Sequence, residues 1–394
     1  MLRRQLPVYS PIRASSLVPG LRSAITRNGR DHELVAASLA AKFGARRVVL
    51  TDSGTSALVL ALRAAAGEGG VVAFPGYACV DLAAAALYAK VKVRLYDIDP
   101  TTLSPDLDSV LRVLKHGVAA VVDAHLYGFP ADLPGVAELA RSYGASVIED
   151  AAQAAGGSLR DAPLGSFGPL TVLSFGRGKG MTGGHGGALL GLTADWAERL
   201  ESTSHAGPIR AGWRELLVVT TQYAFGRPAL YSIPCAIPGL QLGEMVFHPA
   251  HEPRPMSAAA AAVVRSAFGV AEQEAATRRR NAEVLMTAVQ DAEGLGAIHP
   301  VPGGSPGYLR FPVRDRRGRA EVPRLGILRG YPRTLTEQKE LRSCLVPNGD
   351  VPAGAAELKR WLFTLPVHSL VTGRDVQQLT AWLRPPTALP VSPR

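Results

Sequence analysis

The first half of the chain alternates between short apolar runs and longer segments in which apolar residues recur every three or four positions. The short runs predict buried β-strands, and the longer segments predict helices. The predicted strands are 48–51, 71–74, 91–96, 119–125 and 146–150, and the predicted helices are 32–43, 56–65, 81–90, 107–115 and 134–143. Strands that alternate with helices usually pair in parallel and carry helices on both faces of the sheet. The pattern therefore predicts an α/β fold with a mostly parallel sheet.

The second half of the chain is less regular. Two apolar runs, 170–175 and 188–190, flank a glycine-rich loop. The stretch 202–253 holds six prolines and predicts a helix only at 214–225. The elements predicted beyond it are a long helix over 257–288, strands over 307–313 and 325–330, an apolar segment over 358–365, a helix over 373–383 and a frayed tail over 385–394.

These patterns divide the chain into three expected parts. Residues 1–30 are rich in proline, serine and arginine and predict an arm on the surface. Residues 31–250 predict a large domain, which includes the irregular stretch 202–253. Residues 251–394 predict a smaller C-terminal α+β domain.

Composition narrows the class of protein. The chain has 394 residues, of which 47% are hydrophobic, enough for a large core. It has no run of about 18 apolar residues that would predict a transmembrane helix, and its N-terminus lacks the apolar region of a signal peptide. Its cysteines, Cys79, Cys235 and Cys344, are too widely spaced for a metal pattern or a disulfide framework. Free, scattered cysteines fit a reducing cytoplasm, and we predict no metal site.

The net charge of +10 leaves two interpretations open. Arginine can be spread over the whole surface, or it can line the mouth of a site that takes an anionic substrate. Nucleic-acid binding is not predicted, because no long basic run is interleaved with aromatic residues. The apolar pieces of 202–253 predict packing on the core or on a partner subunit. Contact with a membrane or with a lipid-linked substrate is the alternative.

The glycine-rich loop carries the first candidate for chemistry. Lys179 is its lysine, in a chain with few lysines and many arginines. Lysine can lose its proton and act as a nucleophile, whereas arginine cannot easily do so. A desolvated lysine among glycines therefore favours Schiff-base chemistry with a carbonyl cofactor. The alternative is an exposed lysine in a β-hairpin.

Residues upstream of this loop supply the other groups that pyridoxal 5'-phosphate (PLP) needs. PLP requires a carboxylate for its ring nitrogen, donors for its phosphate and a flat group for its ring face. Asp150 ends a predicted strand, where α/β folds place ligands. Gly54 and Thr55 begin a helix whose N-terminus predicts an anion site. Tyr77 follows another strand and offers an aromatic face.

The order of these motifs resembles a known family. The sequence contains S-G-T-S-A-L, P-G-Y, H-L-Y-G, E-D-A-A-Q and S-F-x-x-x-K-x-x-x-G-G-x-G-G. In this order they look like the DegT/DnrJ/StrS family of PLP-dependent sugar aminotransferases. The resemblance implies a PLP-dependent transferase of fold type I. Such a fold has a large PLP-binding domain with a mostly parallel seven-stranded sheet between helices, and a smaller C-terminal α+β domain.

The resemblance also implies a role for each candidate residue. Lys179 would hold PLP covalently and then move a proton as general base and acid. Asp150 would keep the ring nitrogen protonated, and we expect this cationic partner to lower the pKa of Asp150. The remaining cofactor contacts are Gln153 near the ring oxygen or carboxylate side, Ser174, Gly54 and Thr55 at the phosphate, Tyr77 stacked on the ring, and Ser56 as an extra phosphate donor. For Ser56 a helix N-cap is the alternative, and for Tyr77 a core aromatic.

Two other polar residues are expected to be structural. Glu149 precedes Asp150, so strand alternation points its side chain to the opposite side of the sheet. His125 lies at a strand end near the same rim, and we predict a satisfied structural histidine.

The sequence departs from the family pattern in two places. His185 stands where members commonly have glutamate, and Pro253-Arg254-Pro255 replaces Asn-Tyr-Arg before Met-Ser. That asparagine usually reaches the phosphate in a neighbouring subunit. The partner's contribution to the site is therefore open, although a homodimer is expected.

The predicted function is amine transfer from an amino acid donor, glutamate, to a keto-sugar acceptor, nucleotide-linked, in cell-surface polysaccharide or secondary-metabolite biosynthesis. One alternative is a PLP-dependent sugar dehydratase or other elimination enzyme. Dehydrating members typically have histidine in place of the lysine, so Lys179 argues against it. The other alternative is a PLP-binding regulatory protein without turnover. The sugar, the aminated carbon, the carrier and the arginine that binds the donor carboxylate stay open.

Overall fold

The computed structural model describes residues 3–201, 207–237, 245–290, 292–347 and 352–384. The strands, in chain order, are β1 Arg47–Thr51, β2 Val71–Pro75, β3 Lys92–Tyr96, β4 Ala120–Ala124, β5 Ser146–Asp150, β6 Ser158–Leu159, β7 Ala162–Pro163, β8 Leu170–Ser174, β9 Gly187–Gly191, β10 Leu295–Ala297, β11 Gly304–Ser305, β12 Phe311–Asp315, β13 Leu328–Arg329 and β14 Leu362–Leu365. The α-helices are α1 Leu17–Thr26, α2 Arg30–Phe43, α3 Gly54–Ala66, α4 Asp81–Ala89, α5 Leu107–Lys115, α6 Leu133–Ser142, α7 Ala194–Glu201, α8 Trp213–Phe225, α9 Ser232–Cys235, α10 Ala258–Gln290, α11 Ala353–Trp361 and α12 Gly373–Leu383.

A seven-stranded sheet forms the centre of the fold, in the order β1-β9-β8-β5-β4-β2-β3. The strands that pair in parallel are β3, β2, β4, β5 and β8, whereas β9 pairs antiparallel with both β8 and β1. The predicted α/β fold with a mostly parallel sheet is therefore confirmed. The reversed strand arises because β8 and β9 are joined by the lysine loop rather than by a helix.

Apolar residues on both faces of this sheet are buried against helices. On one face, alanine- and leucine-rich α3 and α4 cover Val72, Val122 and Leu189, each 0% exposed. On the other face, α5 and α6 pack against a cluster that includes Val121 and Tyr77. Two covered faces explain why the strands read as continuous apolar runs. The parallel strands all end at one edge of the sheet, which brings the ends of β2, β4, β5 and β8 together.

A four-stranded antiparallel sheet, in the order β10-β12-β14-β13, forms the core of the C-terminal part. The second half of α10 and the helix α12 bury its apolar face. The strand predicted at 307–313 begins later in the structure, at Phe311. The preceding amides of Gly307 and Leu309 instead donate to the carbonyls of Gly128 and Tyr127 in the large domain, at 2.8 and 2.9 Å. This segment therefore joins the two parts of the chain.

The N-terminal arm is more buried and more helical than predicted. Leu6 and Ile12 are only 6% and 8% exposed, and α1 packs along α10. The sequence pattern does not predict α1, because Pro19 and Gly20 interrupt its apolar positions. Proline is tolerated in the first turn of a helix. The missing side chain of Gly20 lets α1 approach α10, because a Cβ there would lie 3.1 Å from a methyl group of Val263.

Two further expectations concern the C-terminal tail and transmembrane helices. The predicted frayed tail, 385–394, lies outside the described residues. Among the helices that are described, none has the length and apolar character needed to cross a bilayer.

Candidate active site

The start of α3 and the end of β8 form one corner of the site. Ser53 caps α3 by accepting a hydrogen bond from the amide of Ser56 at 3.0 Å. A Cβ on Gly54 would lie 2.6 Å from the Cβ of Ser174 and 2.9 Å from its Oγ, so only glycine fits there. The first amides of a helix have no partner within the helix and attract anions. The structure thus brings Gly54, Thr55 and Ser174 together, as a phosphate cradle requires.

Ser56 lies inside this corner rather than at its surface. It is 2% exposed, and its hydroxyl donates to Asp52 Oδ1 at 2.7 Å. The N-cap of α3 is Ser53, so the alternative of a Ser56 cap is wrong. The contacts of the Ser56 hydroxyl also give no support to its predicted role as a phosphate donor.

Asp150 ends β5 and faces the lysine loop. Its Oδ1 accepts a hydrogen bond from the amide of Ala152 at 3.0 Å. Burial raises the pKa of Asp150, and the Ala152 amide and the nearby charge of Lys179 oppose that rise only in part. The expected fall in pKa therefore does not come from the protein alone, because desolvation of the carboxylate is the largest effect. A cation bonded to this carboxylate would shift the balance.

Lys179 lies in the loop that joins β8 to β9. The loop is fixed internally by a hydrogen bond from the Gly183 amide to the Phe175 carbonyl at 2.9 Å. From outside the loop, the hydroxyl of Ser10 donates to the carbonyl of Lys179 at 2.7 Å. Burial raises the pKa of both Asp150 and Cys79, and the nearby charge of Lys179 opposes this rise in each case. The predicted nucleophile and the predicted ring-nitrogen carboxylate thus share one site.

Gln153 is held by both ends of its amide group. Its Oε1 accepts from the Tyr127 amide at 3.0 Å, and its Nε2 donates to the Tyr331 hydroxyl at 2.6 Å. Tyr127 adopts a left-handed conformation with φ 55. Such backbone strain is found most often at functional sites. The Gln153 side chain is therefore oriented by one residue that follows β4 of the large sheet and one from the C-terminal part of the chain.

Tyr77 lies in the core of this region. It is 0% exposed, its ring centroid lies 5.0 Å from that of Tyr331, and its hydroxyl accepts from the Tyr331 amide at 2.7 Å. This burial favours the core-aromatic alternative for Tyr77. The stacking role stays a prediction, and it would require a neighbouring side chain to move.

Several residues of this region were not assigned to the site from the sequence. They are Cys79, whose thiol has a pKa raised mainly by burial, and the residues Tyr331, Tyr127 and Ser10. Tyr127 lies in the H-L-Y-G motif, so a signal existed for it. Ser10 and Tyr331 reach the site only through contacts across the fold, and neither belongs to a motif.

Glu149 and His125 form a buried pair, and His125 is the satisfied histidine that was predicted. The Nε2 of His125 lies 2.8 Å from Glu149 Oε1, and the Ala131 amide donates to its Nδ1 at 3.1 Å. Amides of the following turn also donate to Glu149, among them that of Gly168 at 2.8 Å. Burial alone would raise the pKa of Glu149, but the bonds from His125 and these amides lower it. The carboxylate therefore stays charged inside the protein.

The arginine run in α10 does not face one common surface. Arg278 is 1% exposed, and it donates to the carbonyl of Ala155 at 2.7 Å. Arg279 donates to the neighbouring carbonyl of Gly156 at 2.7 Å, and Arg280 is exposed. Two of these arginines thus hold the turn that follows Asp150.

Comparison with known sequences identifies relatives of one kind. The model of the DegT/DnrJ/EryC1/StrS aminotransferase family matches residues 14–383. An L-glutamine:2-deoxy-scyllo-inosose aminotransferase of Streptoalloteichus tenebrarius is 33% identical over 285 residues, which is 72% of this chain and 60% of that protein. A UDP-N-acetyl-3-dehydro-alpha-D-glucosamine 3-aminotransferase of Acidithiobacillus ferrooxidans is 33% identical over 181 residues, 45% of this chain and 49% of that protein. The chain thus spans less than two thirds of the length of these relatives.

Comparison with solved structures identifies the fold. AtS13 from Actinomadura melliaura has a TM-score of 0.75 and 24% identity, and the match covers 97% of this chain and 98% of that one. DesV of S. venezuelae, solved with a ketimine intermediate, has a TM-score of 0.74 and 23% identity, covering 94% of each chain. The architecture described above is thus shared along nearly the whole chain.

Proposed function

The chain belongs to the DegT/DnrJ/EryC1/StrS aminotransferase family, and from this membership we propose that it is a PLP-dependent aminotransferase. It moves an amino group from an amino acid to the ketone of a sugar or a cyclitol. One observation carries the proposal. Lys179, Asp150, and the corner made by Gly54 and Ser174 lie at one edge of the sheet, where each supplies a group that PLP requires.

The residues present fit the cofactor. Because Gly54 has no Cβ, the start of α3 can approach Ser174 closely, and the Ser174 hydroxyl together with the first amides of α3 is suited to a phosphate group. When bound, PLP supplies an electron sink for cleavage of bonds at the amino carbon. Asp150 would hold the proton on the ring nitrogen. Gln153, fixed by Tyr127 and Tyr331, lies three residues beyond Asp150.

Lys179 would hold the cofactor and, once its amine is free, would take up and return the proton of the donor carbon. Its backbone is held by Ser10 and by the hydrogen bonds of the loop, while the side chain extends beyond these contacts and is half-buried. A fixed backbone with a long side chain allows the amine to alternate between covalent attachment and proton transfer.

The substrates follow from the relatives. Two of them are named for amine transfer to an inosose or to a UDP-linked sugar, and one is named for L-glutamine as donor. We propose glutamate or glutamine as donor and a keto-sugar or keto-cyclitol as acceptor, in the biosynthesis of a cell-surface polysaccharide or a secondary metabolite. We also propose that the protein acts as a homodimer.

The visible absorption of the purified protein tests the proposal. We expect a band from PLP bound to the wild-type protein, and its bleaching when glutamate or glutamine is added. A band that no amino donor changes would favour the regulatory alternative. Release of ammonia or of a deoxy sugar from a keto-sugar would favour elimination. A protein that takes up no PLP would overturn the proposal.

A further inference from the structure

Three tyrosines from separate segments of the chain meet beside the candidate active site. Tyr77 follows β2, Tyr127 follows β4, and Tyr331 follows β13 in the C-terminal part. The ring centroid of Tyr331 lies 5.0 Å from that of Tyr77 and 5.3 Å from that of Tyr127, distances typical of aromatic contacts. All three side chains are buried. These residues, which we call the tyrosine cluster, join the C-terminal part to the large sheet.

The hydroxyl of Tyr77 anchors the backbone of Tyr331. It accepts a hydrogen bond from the Tyr331 amide at 2.7 Å, and it lies 3.4 Å from the hydroxyl of Tyr127. Gly330 makes this approach possible, because a Cβ at that position would overlap the Tyr77 hydroxyl. The backbone that carries Tyr331 is therefore held in place relative to the ends of β2 and β4.

The tyrosine cluster also decides which way the amide group of Gln153 points. The backbone amide of Tyr127 can only donate a hydrogen bond, so the atom that it meets at 3.0 Å must be Oε1 of Gln153. Nε2 then faces the Tyr331 hydroxyl and donates to it at 2.6 Å. Among the described residues, the second N–H of Nε2 has no acceptor. Gln153 is thus held with one N–H left over for a ligand.

This arrangement lies within electrostatic reach of the residues assigned to the cofactor. Burial, and to a smaller extent Tyr127, Cys79 and Asp150, raises the pKa of Tyr331 well above its usual range. The charge of Lys179 in turn acts on Cys79 and Asp150. The Tyr331 hydroxyl therefore keeps its proton at neutral pH, and it lies in the same region as the predicted lysine and carboxylate.

We propose that Tyr331 is a positioning residue for the cofactor, which holds the Gln153 amide so that its free N–H donates to the phenolic oxygen of the PLP ring. The inference rests on the proposed function, from which it takes the cofactor. A ring oxygen that carries negative charge requires a donor, and an amide turned the other way would present its carbonyl oxygen instead. The C-terminal part thereby influences the cofactor through Gln153.

Loss of the Tyr331 hydroxyl should raise the pH at which the visible absorption of the bound cofactor changes. A hydrogen bond to the ring oxygen withdraws negative charge, and that charge stabilises the proton on the nitrogen that links the ring to Lys179. When the donor is less well held, this nitrogen keeps its proton to higher pH. For Tyr331→Phe we expect an upward shift of about 0.5 to 1 pH unit, which corresponds to the loss of one hydrogen bond.

Spectrophotometric pH titration of the PLP-loaded protein measures the midpoint of this change. Tyr308→Phe is the control, since it removes a hydroxyl from the same C-terminal part, where the Tyr308 ring packs on Phe129. Its midpoint should equal that of the wild type. The Gln153→Ala background tests whether the effect passes through Gln153. In that background Tyr331→Phe should cause no further shift, because two residues that act through one contact are not additive.

The anchor of Tyr331 provides a second variant. Tyr77→Phe removes the acceptor of the Tyr331 amide, and it should shift the midpoint in the same direction by a smaller amount. Thermal unfolding of each variant without the cofactor separates positioning from stability. A merely structural role would lower the melting temperature and leave the midpoint unchanged.

Two results would overturn the inference. One is a wild-type midpoint in Tyr331→Phe protein that binds PLP. The other is an equal shift from Tyr331→Phe in the wild-type and the Gln153→Ala backgrounds, since the hydroxyl would then act without Gln153. A wild-type protein that takes up no PLP removes the proposed function itself, so the two failures are distinguishable.

Discussion

Two regions of the molecule hold their charges in opposite ways. One is the strand-end site, made of Asp150, Gln153 and their neighbours at the ends of β4 and β5. The other, the basic cleft, is a cleft of about 320 Å³ beside the start of α3 that is lined by Asp52, Ser53, His185, Arg210, Arg214, Glu215, His251 and Arg254. At the strand ends, Glu149 and Gln153 bond to groups of the same chain. In the basic cleft, Arg214 and Arg254 have no ion pair within the described residues. The first region is therefore organised before any ligand arrives. In the second, three arginines face two carboxylates, so one positive charge has no partner among the described residues of the cleft.

The difference has a structural origin. The strand-end site is built on a sheet whose ladders fix every strand, and preorganised groups of this kind support catalysis. The basic cleft is built largely from loops and from α8, where Trp213 and Leu217 are 53% and 64% exposed. Loops on a rigid scaffold are where specificity is usually placed. We expect chemistry to depend on the first region and substrate choice on the second.

The largest effect should come from Lys179→Ala. We expect amine transfer to fall by at least about a thousandfold, because both the covalent attachment and the proton transfer are lost. Turnover and the visible absorption band measure this loss. Lys90→Ala is the control, since Lys90 forms an exposed ion pair with Glu68. Normal turnover in the Lys179 variant would refute the role of the strand-end site.

Gly54→Ala should affect the cofactor more than the fold. The new Cβ would lie 2.6 Å from that of Ser174, so we expect about a tenfold or greater loss of PLP affinity and a loss of about 1 to 3 kcal/mol in stability. Adding Ser174→Gly should restore stability but not affinity, since the hydroxyl is gone. Gly373→Ala is the control, because a Cβ there meets no atom. Equilibrium dialysis and urea unfolding measure the two quantities, and unchanged affinity would argue against a cradle here.

Asp123, in β4, differs from the other polar residues near the strand ends because its carboxylate has no hydrogen-bond partner among the described residues. It should therefore make the stability of the protein depend on pH. Both of its carboxylate oxygens are buried without a hydrogen-bond partner, and burial raises its pKa to about 7. The folded protein therefore binds a proton that the unfolded chain releases above about pH 4. Stability should fall as pH rises from about 4 to about 7.

The variant Asp123→Asn should remove this dependence of stability on pH. Between pH 5 and pH 8, its free energy of unfolding should rise relative to that of the wild type by on the order of 2 to 4 kcal/mol, measured by urea unfolding. Its neighbour across β4 and β5 is Glu149, whose pKa is lowered. Glu149→Gln should destabilise the protein at pH 8, and this loss should shrink as the pH falls through the ordinary range of a carboxylate. If the stability of both variants, relative to wild type, changed with pH in the same direction, Asp123 and Glu149 would not have the opposite pKa shifts described here.

The smallest effect should come from Ser10→Ala. Loss of its bond to the Lys179 carbonyl should cost about 1 kcal/mol and accelerate PLP dissociation by a few-fold. Ser38→Ala removes a bond within α2 and should leave PLP dissociation unchanged. Stopped-flow or dialysis rates distinguish them, and equal rates would show that the arm does not support the lysine loop.

The predicted elements that the structure confirms, and the candidate residues that it brings together, share one property. Their signals are local: an apolar run ends at Asp150, a glycine marks the start of α3, and a lysine stands in a glycine-rich loop. In a parallel sheet, the shared edge then brings these strand ends together. The fold and the principal cluster of the site thus follow from short stretches of sequence.

The residues that were missed depend on contacts between distant parts of the chain. Ser10 bonds to a residue 169 positions away, and Gln153 to one 178 positions away. No local pattern encodes such a pair. The helix α1 was missed for a different reason, because its proline and glycine are explained only by the neighbouring α10.

The helix α10 has a mechanical consequence for the whole molecule. At 33 residues it is about 50 Å long, and it runs from the large core to the small sheet without a break. A continuous rod has no hinge, so the two parts of the chain cannot rotate freely about a linker. Any relative movement must bend the rod itself. Bending is easiest at Gly269, an exposed glycine with open space around it, because glycine restricts the backbone of a helix least.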